Sequence, residues 1–381
     1  MFKHRGLLII FLCLIIVSAL GFFILANNTP KAQNFFTYKD TVITQDQNIK
    51  TLMAAGGNIV IDSNIKGHIF VVDGDLTINA DSKVGGQIVV IGGQLTVAPQ
   101  AEIRHRPFVF LLHGHPFIPF IVATLLGLGA FSLIAIPLLL WLIGYYFKRS
   151  PFYQPAKDKF LELQGRWPSL FIIAGFILSA AMLFLFLDLA WDTFFQASAV
   201  LFDDAFIWLV RYYANPDLDK FMLFITDIGF GKGYAIIVGA TITVLAYRKR
   251  WYDISALAIC IAGAGLLSVL LKNAFHRMRP DSFFLVQENS FSFPSGHAMA
   301  TMCFYGMLAF FLMREVKSWP VRLLIATLTI ILSLIIGISR IYLGVHYPTD
   351  VVAGYAVGFM WLTFCISLLL RQEKKKRNNN S

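Results

Sequence analysis

The chain has 381 residues, of which 57% are hydrophobic and only 14% are charged. This composition excludes an ordinary soluble globular protein and predicts a polytopic membrane protein. Much of the net charge of +10 lies in the short connections and the tail that flank apolar runs, so it indicates membrane topology rather than nucleic-acid binding. The four cysteines fall inside apolar runs and lack the spacing of a disulfide framework or a zinc site.

The first apolar run covers residues 7–26 and follows the basic residues near the start of the chain. A run of about 20 apolar residues is long enough to cross a bilayer. Residues 1–26 are therefore predicted to be either an uncleaved signal-anchor, which we favour, or a cleavable signal peptide. In both cases the residues that follow are expected to be exported.

Residues 27–106 differ from the rest because they are polar and rich in glycine and β-branched residues. Similar stretches begin at Gly57, Gly74 and Gly93, at offsets of 17 and 19 residues, and a second short strand is expected in each interval. Two strands per period predict a small β-solenoid of about three turns, with an antiparallel meander as the alternative. The pattern resembles the bactofilin-type repeat. No cluster of catalytic residue types occurs here, so we expect a spacer, envelope-contact or self-association role.

The next segment, Arg104–Pro119, contains prolines and histidines and is expected to lie along the membrane surface. Its histidines lack carboxylate or cysteine partners, so we interpret them as interfacial residues rather than metal ligands. A second span is predicted over Phe117–Tyr146, with tilt or a break near Pro137 because the run exceeds the bilayer core. The basic connection 150–168 is predicted to be cytoplasmic and completes a linker region, 107–168.

Further apolar runs predict spans three to eight. They cover 169–190, 221–247, 254–271, 297–313, 323–338 and 351–370. Residues 191–220 are expected to form a helix in the membrane interface. The strongly basic connections alternate along the chain with the two connections that carry the polar motifs described below. The positive-inside rule therefore places both termini and the basic tail, 372–381, in the cytoplasm. The predicted fold is mainly α, a polytopic membrane helical bundle, plus a small extracytoplasmic β-solenoid-like domain on the face to which the motifs open.

Three short runs concentrate polar residues at the ends of apolar segments, where such residues are costly and commonly functional. They are Lys272–Pro280 (KNAFHRMRP), Phe293–His297 (FPSGH) and Ser339–Asp350 (SRIYLGVHYPTD). The cations Lys272, Arg279 and Arg340 suit the oxygens of a phosphoryl group. Ser295 and Gly296 precede an apolar run, and a helix N-terminus there would favour phosphate. We therefore expect the ligand to be an anion.

His346 and Asp350 are four residues apart across a Tyr-Pro-Thr corner. This spacing lets the carboxylate hold one ring nitrogen while the other stays free as a nucleophile or base. A metal triad of His297, His346 and Asp350 is the alternative, but the neighbouring cations would repel a metal, so neither a metal nor another cofactor is expected. His276 and Arg277, inside the first run, are expected to face solvent or lipid headgroups.

Together the runs resemble the signature of the type-2 phosphatidic acid phosphatase (PAP2) superfamily, K-x6-R-P, P-S-G-H and S-R-x5-H-x3-D, with every position filled in order. The resemblance implies a six-helix phosphatase core over about residues 169–371. It also implies that His346 attacks phosphorus to form a phosphohistidine, that Asp350 orients it, and that His297 protonates the leaving oxygen. The implied phosphate-binding residues are Lys272, Arg279, Ser295, Gly296 and Arg340.

We therefore expect a metal-independent phosphatase of a bacterial inner (cytoplasmic) membrane that acts on a lipid phosphate or pyrophosphate at the outer leaflet. The chain looks similar to bacterial undecaprenyl pyrophosphate phosphatases, and that substrate is favoured over phosphatidylglycerol phosphate and phosphatidic acid. Two alternatives stay open: a phosphotransferase that uses the same phosphohistidine, and a membrane-anchored β-scaffold protein. The expected partners are the substrate and membrane lipids, and no nucleic acid.

Overall fold

The chain forms two compact units in the structure, a computed structural model, and all the β-strands lie in one of them. The structure describes residues 33–45, 47, 49–111, 117–166, 170–196, 199–280 and 285–379. Of these, one unit contains residues up to 130 together with 191–213, and the other contains 131–190 and 214–379. The predicted first span lies outside the described residues.

Short strands follow one another from residue 33 to residue 110. They are β1 Gln33–Thr37, β2 Thr41–Ile43, β3 Ile49–Ala55, β4 Ile59–Ile61, β5 Ile69–Val72, β6 Leu76–Ile78, β7 Lys83–Val84, β8 Ile88–Ile91, β9 Leu95–Val97, β10 Glu102–Ile103 and β11 Phe108–Phe110. One sheet has the order β1-β3-β5-β8-β11, a second has the order β2-β4-β6-β9, and β7 pairs with β10. All these pairings are parallel. A chain that repeatedly adds a parallel strand to the same sheets is a β-solenoid, so the antiparallel alternative is wrong.

The register of the strands confirms the repeat seen in the sequence. Ile59 pairs with Leu76 and Leu76 pairs with Leu95, which are the predicted offsets of 17 and 19 residues. Inward side chains such as Leu52 and Ile69 are fully buried, and each contributes roughly 1.5–3 kcal/mol by leaving water. Apolar burial inside the coils therefore holds the solenoid together.

A ladder of side-chain caps joins successive coils at one corner. The side-chain oxygen of Asp40 accepts the amide of Asn58 at 2.7 Å, that of Asn58 accepts the amide of Asp75 at 3.0 Å, and that of Asp75 accepts the amide of Gln94 at 2.8 Å. Each corner residue therefore satisfies a backbone donor of the next coil.

The solenoid has about four turns, one more than predicted. A Cβ at Gly57 would lie 2.4 Å from the carbonyl oxygen of Lys39, and a Cβ at Gly74 would lie 2.1 Å from that of Gly57. Each glycine therefore makes room for the backbone of the preceding coil. The first described coil has no preceding strand in its sheets, so Lys39 is tolerated there and the glycine signal is missing.

Helices and the connections between them form the rest of the described chain. They are α1 Phe117–Arg149, α2 Tyr153–Arg166, α3 Leu170–Trp191, α4 Val200–Arg211, α5 Pro216–Phe230, α6 Lys232–Tyr247, α7 Trp251–Phe275, α8 Gly296–Glu315, α9 Trp319–Tyr342 and α10 Pro348–Asn379, with a π-helical turn at Asp192–Gln196. Helix α1 contains the predicted second span and continues through Pro137, so no break occurs there. The predicted interfacial segment contains α4, whose Trp208 ring lies 6.0 Å from that of Phe36 in β1.

Six helical segments of the described chain are long and apolar enough to cross a membrane. They are Ile177–Phe194, Pro216–Tyr247, Trp251–Phe275, Gly296–Glu315, Trp319–Tyr342 and Pro348–Glu373. These segments coincide with predicted spans three to eight. The multi-span character of the chain is therefore confirmed.

The fourth predicted span is broken into two helices, α5 and α6, at Gly231. The carboxylate of Asp227 accepts the amides of Lys232 at 2.9 Å and of Gly233 at 2.8 Å, which satisfies donors that the new helix leaves open. A Cβ at Gly231 would lie 2.0 Å from a carboxylate oxygen of Asp227. The cluster of glycines noted in the sequence therefore marks a capped helix break.

Glycines also let the membrane helices approach one another closely, as is common inside bilayers. A Cβ at Gly263 of α7 would lie 2.1 Å from the ring of Trp361 in α10. The indole nitrogen of Trp361 donates to the carbonyl of Cys260 at 3.0 Å, so the ring is held in place. Helices α7 and α10 are thereby locked together near the centre of the bundle.

We expect Gly263→Ala to destabilise the protein, because the added methyl group must displace the hydrogen-bonded ring of Trp361. Overpacking of this kind costs about 1–3 kcal/mol. Thermal unfolding in detergent should show a melting temperature lowered by several degrees. Gly265→Ala is the matched control on the same helix, since no described atom lies within 4 Å of its Cβ position. An equal effect of both substitutions would contradict this account of the packing.

Candidate active site

Four helix ends bring the predicted polar residues together at one end of the helical unit. Lys272 lies in the last turn of α7, Arg340 lies in the last turn of α9, and Ser295 caps the first turn of α8. Asp350 lies in the first turn of α10, and its carbonyl accepts the amide of Ser295 at 2.9 Å. His346 lies in the connection between α9 and α10. The three runs that are separate in the sequence therefore converge in space.

The opposite end of the same helices carries basic residues that pair with carboxylates. Arg250 contacts Glu315 at 2.6 Å, and Arg314 contacts Glu373 at 2.8 Å. These pairs join the α6–α7 connection, the end of α8 and the far part of α10. The basic connections and the motif-bearing connections thus lie at opposite ends of the bundle, as their alternation along the chain predicted.

His346 and Asp350 form a buried pair. His346 Nδ1 lies 3.4 Å from Asp350 Oδ2, and both residues are fully buried. The same carboxylate oxygen accepts the amide of Tyr347 at 2.9 Å. Nδ1 is therefore the nitrogen suited to carry the proton. Nε2 then keeps its electron pair, which accepts a hydrogen bond from Arg279 Nη1 at 3.4 Å.

Burial lowers the pKa of His346 well below its ordinary value, and the positive charges of Arg340, Arg279 and Lys272 lower the pKa further. Both causes disfavour the imidazolium form. The ring is therefore neutral at physiological pH, as a nucleophile or base requires.

Glu288 lies between two of the predicted phosphate-binding arginines. Its Oε2 accepts from Arg279 Nη2 at 2.7 Å, and its Oε1 accepts from Arg340 Nη2. Burial alone would raise the pKa of Glu288, but Arg340 and Arg279 outweigh it and hold the pKa below its usual value. An ionised carboxylate thus presents two oxygens to the two guanidinium groups, as a phosphate group would.

The three cations also donate hydrogen bonds to uncharged polar groups near Glu288. Arg340 Nη1 donates to the Thr226 hydroxyl at 2.8 Å, and Lys272 Nζ donates to the Ser290 hydroxyl at 3.0 Å. Arg279 Nε donates to the Ser290 carbonyl at 2.7 Å. The loop that carries Glu288 and Ser290 therefore contacts all three cations. No motif in the sequence singled out this loop.

Ser295, Gly296 and His297 begin helix α8 at the edge of the same position. The Ser295 hydroxyl accepts the amide of Ala298 at 3.4 Å, and amides of a first helical turn are available to an anion. A Cβ at Gly296 would lie 2.9 Å from the Ser268 hydroxyl, so the helix start packs closely on α7. The ring of His297 lies 5.3 Å from that of Phe230.

Arg277 does not face solvent as expected. Its Nη1 lies 2.5 Å from Asp350 Oδ1 and donates to the Thr349 hydroxyl at 2.8 Å. His276, by contrast, is exposed as predicted. Arg277 and Arg279 are two residues apart in a non-helical segment, where alternate side chains point to the same side. That spacing is the sequence signal that could have placed Arg277 with the site.

Part of this polar cluster lines a cleft of about 710 Å³ between α5, α7 and α8, although Arg279, His346 and Asp350 are not among the lining residues. Its polar end contains Lys272, Glu288, His297 and Arg340, and its other end reaches Ile261 of α7. The apolar or small lining residues are Leu223, Phe230, Gly231, Ile261, Gly265, Val269, Val286, Gly296 and Ala300. Ile261 and Lys272 are eleven positions apart along α7, which is roughly 16 Å at about 1.5 Å per residue. The cleft is therefore amphipathic and elongated.

Within the described ranges, no group of three or more His, Cys, Asp or Glu side chains is placed to hold an ion. Of the histidines in the predicted surface segment, His105 is exposed, and His113 and His115 lie outside the described residues.

Residues 253–374 match the family model of the PAP2 superfamily. Over 151 residues the chain is 36% identical to phosphatidylglycerophosphatase B of Bacillus subtilis, an alignment that covers 38% of this chain and 72% of that protein. The chain belongs to the PAP2 superfamily. The matched PAP2 region contains the three polar runs and begins after the β-solenoid, so the solenoid lies outside the matched region.

Two further relatives extend the comparison of this PAP2 protein. It is 28% identical over 162 residues to the undecaprenyl-diphosphatase of Sulfolobus acidocaldarius, covering 41% of this chain and 72% of that one. A crystal structure of a transmembrane PAP2 type phosphatidylglycerolphosphate phosphatase from Bacillus subtilis matches with 30% identity and a TM-score of 0.45, covering 50% of this chain and 94% of that chain.

We expect Glu288→Gln to tighten the binding of inorganic phosphate about tenfold. The neutral amide competes less well for Arg279 and Arg340, because charge-assisted hydrogen bonds are roughly twice as strong as neutral ones. The dissociation constant can be measured by the thermal shift that phosphate produces in detergent. Glu315→Gln, which removes an arginine-paired carboxylate at the opposite end of the bundle, should leave it unchanged. Weaker phosphate binding in Glu288→Gln would show that the carboxylate supports the anion site.

Proposed function

We propose that this PAP2 protein is a membrane phosphatase that hydrolyses a lipid phosphate or pyrophosphate, with undecaprenyl pyrophosphate as the favoured substrate. Phosphatidylglycerol phosphate and phosphatidic acid are the other candidates. The observation that carries the proposal is a buried His346 whose Nε2 lies 3.4 Å from Arg279 Nη1. Arg279 shares the Glu288 carboxylate with Arg340, and both Glu288 and Arg340 line the polar end of an amphipathic cleft. Relatives named phosphatidylglycerophosphatase B and undecaprenyl-diphosphatase support a lipid substrate.

The first chemical step is attack of His346 Nε2 on phosphorus. An N–P bond forms while the bond from phosphorus to the leaving oxygen breaks, and His297 gives that oxygen a proton. Asp350 holds Nδ1–H and stabilises the charge that develops on the ring. The product is a phosphohistidine and a released lipid alcohol or lipid monophosphate.

Water completes the cycle. It attacks the phosphohistidine while His297, now lacking its proton, accepts one from the water. The N–P bond breaks, inorganic phosphate leaves, and both histidines return to their starting states. Lys272, Arg279, Arg340 and the first-turn amides of α8 stabilise the charge on the phosphoryl oxygens in both steps.

Substrate binding requires Glu288 to leave the two arginines. The phosphate group takes the positions of the Glu288 carboxylate oxygens. It can also reach Lys272, with which Glu288 forms no ion pair in the structure. The exchange replaces one set of charge-assisted hydrogen bonds by another, so the cations stay paired before and after binding.

The apolar part of the cleft is suited to a lipid chain. A group that enters from the bilayer can lay its chain along α7 between Val269 and Ile261 while its head reaches Lys272 and Arg340. Binding of the chain positions the phosphorus atom against His346. The motif-bearing end of the bundle faces outward in this proposal, because the residues Arg248, Lys249 and Arg250 at the other end favour the cytoplasm.

The proposal is tested by incubating the purified protein with each of the three candidate lipids, with and without EDTA and with a candidate hydroxyl acceptor. We expect inorganic phosphate to be released, to be insensitive to EDTA, and to fall by about a thousandfold or more in His346→Ala. His276→Asn is the matched control, because His276 is exposed in the same region and asparagine tolerates its positive φ of 50°.

Three outcomes would contradict the proposal. Phosphate transferred to the acceptor without release of inorganic phosphate would identify a phosphotransferase. Loss of activity with EDTA would contradict the metal-independent mechanism. If lipid turnover is the same in His346→Ala as in the unmodified protein, the membrane part would serve as an anchor for the β-solenoid rather than as the enzyme.

Gly265→Phe should distinguish lipid from soluble substrates. The phenyl ring would fill the apolar part of the cleft, where the Cβ position of Gly265 is open. Excluding two methylene groups of a lipid chain costs about 1.6 kcal/mol, so kcat/KM for long-chain phosphatidic acid should fall by about tenfold or more. Hydrolysis of p-nitrophenyl phosphate should change by less than about twofold. Gly239→Phe on α6 is the control, since its Cβ position is equally open and Gly239 does not line the described cleft. Equal losses for both substrates would contradict a lipid-chain site here.

A further inference from the structure

Arg277 lies on the side of Asp350 that faces away from His346. Its Nη1 contacts Asp350 Oδ1 at 2.5 Å and the Thr349 hydroxyl at 2.8 Å, and its guanidinium lies 4.1 Å from the centre of the Tyr347 ring. The Arg277 side chain is only 12% exposed. Three contacts from one side chain to three neighbouring residues fix the connection that carries the proposed nucleophile.

The two oxygens of Asp350 have different partners. Oδ1 meets Arg277, whereas Oδ2 meets His346 Nδ1 at 3.4 Å and the amide of Tyr347 at 2.9 Å. A fully buried carboxylate stays ionised only when a positive group compensates for the lost water. Arg277 is the cation in direct contact with it among the described residues. Arg279 and Arg340 are directed at Glu288 instead.

Arg277 does not contribute to the phosphate position. Its Nη1 is held by Asp350 and Thr349, whereas the guanidinium groups of Arg279 and Arg340 meet at Glu288. Its charge therefore acts on the histidine through the carboxylate rather than on a substrate oxygen.

We propose that Arg277 is a positioning residue, which holds Asp350 ionised and oriented and thereby keeps His346 in the tautomer with an unprotonated Nε2. The inference rests on the proposed phosphatase function. It divides the basic residues of the first run into two roles, with Lys272 and Arg279 for the phosphate and Arg277 for the nucleophile. Groups that orient a catalytic or ligating histidine through a second residue commonly contribute 10–100-fold.

The test is a double-mutant cycle with Arg277→Met and Asp350→Asn, measured as phosphate release from the best lipid substrate of the panel. Methionine keeps much of the length of the side chain but removes the charge. We expect Arg277→Met alone to lower kcat about tenfold or more with KM changed by less than about twofold. In the Asp350→Asn background the same substitution should cost less than about twofold, because its route of action is already removed.

Two further variants complete the experiment. Arg277→Lys keeps the positive charge and should recover at least about threefold of the kcat lost in Arg277→Met. If Arg277→Met does not fold, Arg277→Lys replaces it in the cycle with Asp350→Asn. Met278→Gln is the matched control, because Met278 is 74% exposed beside Arg277, and its kinetics should be unchanged. Melting temperatures of all variants show whether a loss of activity reflects a loss of folded protein.

Two kinetic results would overturn the proposal. An increase in KM at constant kcat in Arg277→Met would assign Arg277 to the phosphate. An equal loss of kcat from Arg277→Met in the unmodified protein and in the Asp350→Asn background would assign Arg277 a role independent of that carboxylate. Failure of the unmodified protein to release phosphate from any lipid would refute the proposed function instead, so the two failures are distinguishable.

Discussion

The site depends on one electrostatic constraint: charged groups at the edge of an apolar bundle are buried only against an opposite charge or a polar partner. Asp350 has Arg277 and His346, and Glu288 has Arg279 and Arg340. Because each group restrains the next, the cations are fixed in place before a ligand arrives. Preorganised charge of this kind is what stabilises a phosphoryl group during transfer.

The frame that holds these charges comes from close packing between helices. A Cβ at Gly354 of α10 would lie 2.6 Å from the carbonyl oxygen of Ser295, so only glycine allows the start of α8 to lie directly on α10. This contact lets the Ser295 amide reach the carbonyl of Asp350. A second close contact, between Gly263 of α7 and the ring of Trp361 in α10, holds α7 in the same arrangement. Backbone contact rather than side-chain length therefore sets the geometry of the site.

Much of the fold could be predicted because it depends on local patterns. The offsets of 17 and 19 residues are visible in the spacing of Gly57, Gly74 and Gly93, and the membrane helices are visible as apolar runs. The number of coils was underestimated because the glycine is needed only where a preceding coil lies beneath it. The helix break at Gly231 was marked by glycines, but its cap by Asp227 depends on the folded turn.

The site was predictable only in part. The motif residues could be listed from the sequence, and the structure brings them together. The residues that pair with them could not be predicted. Glu288 belongs to a loop without a repeat or motif, and its place between two arginines depends on how that loop folds over the helix ends. Arg277 was assigned to solvent or headgroups because a basic residue at a membrane edge is usually an anchor. Its contact with Asp350, 73 residues away in the sequence, exists only in the tertiary structure.

The stacking of the coils through Asp40, Asn58 and Asp75 has a consequence for variation among proteins of this architecture. Within the two main sheets each strand pairs only with the strands of adjacent coils, so insertion or deletion of one whole repeat preserves the strand pairing of the others. The height of the solenoid would then change by about 4.8 Å per repeat, the spacing of adjacent strands. Evolution can therefore lengthen or shorten this region in uniform increments while the enzyme core keeps its sequence.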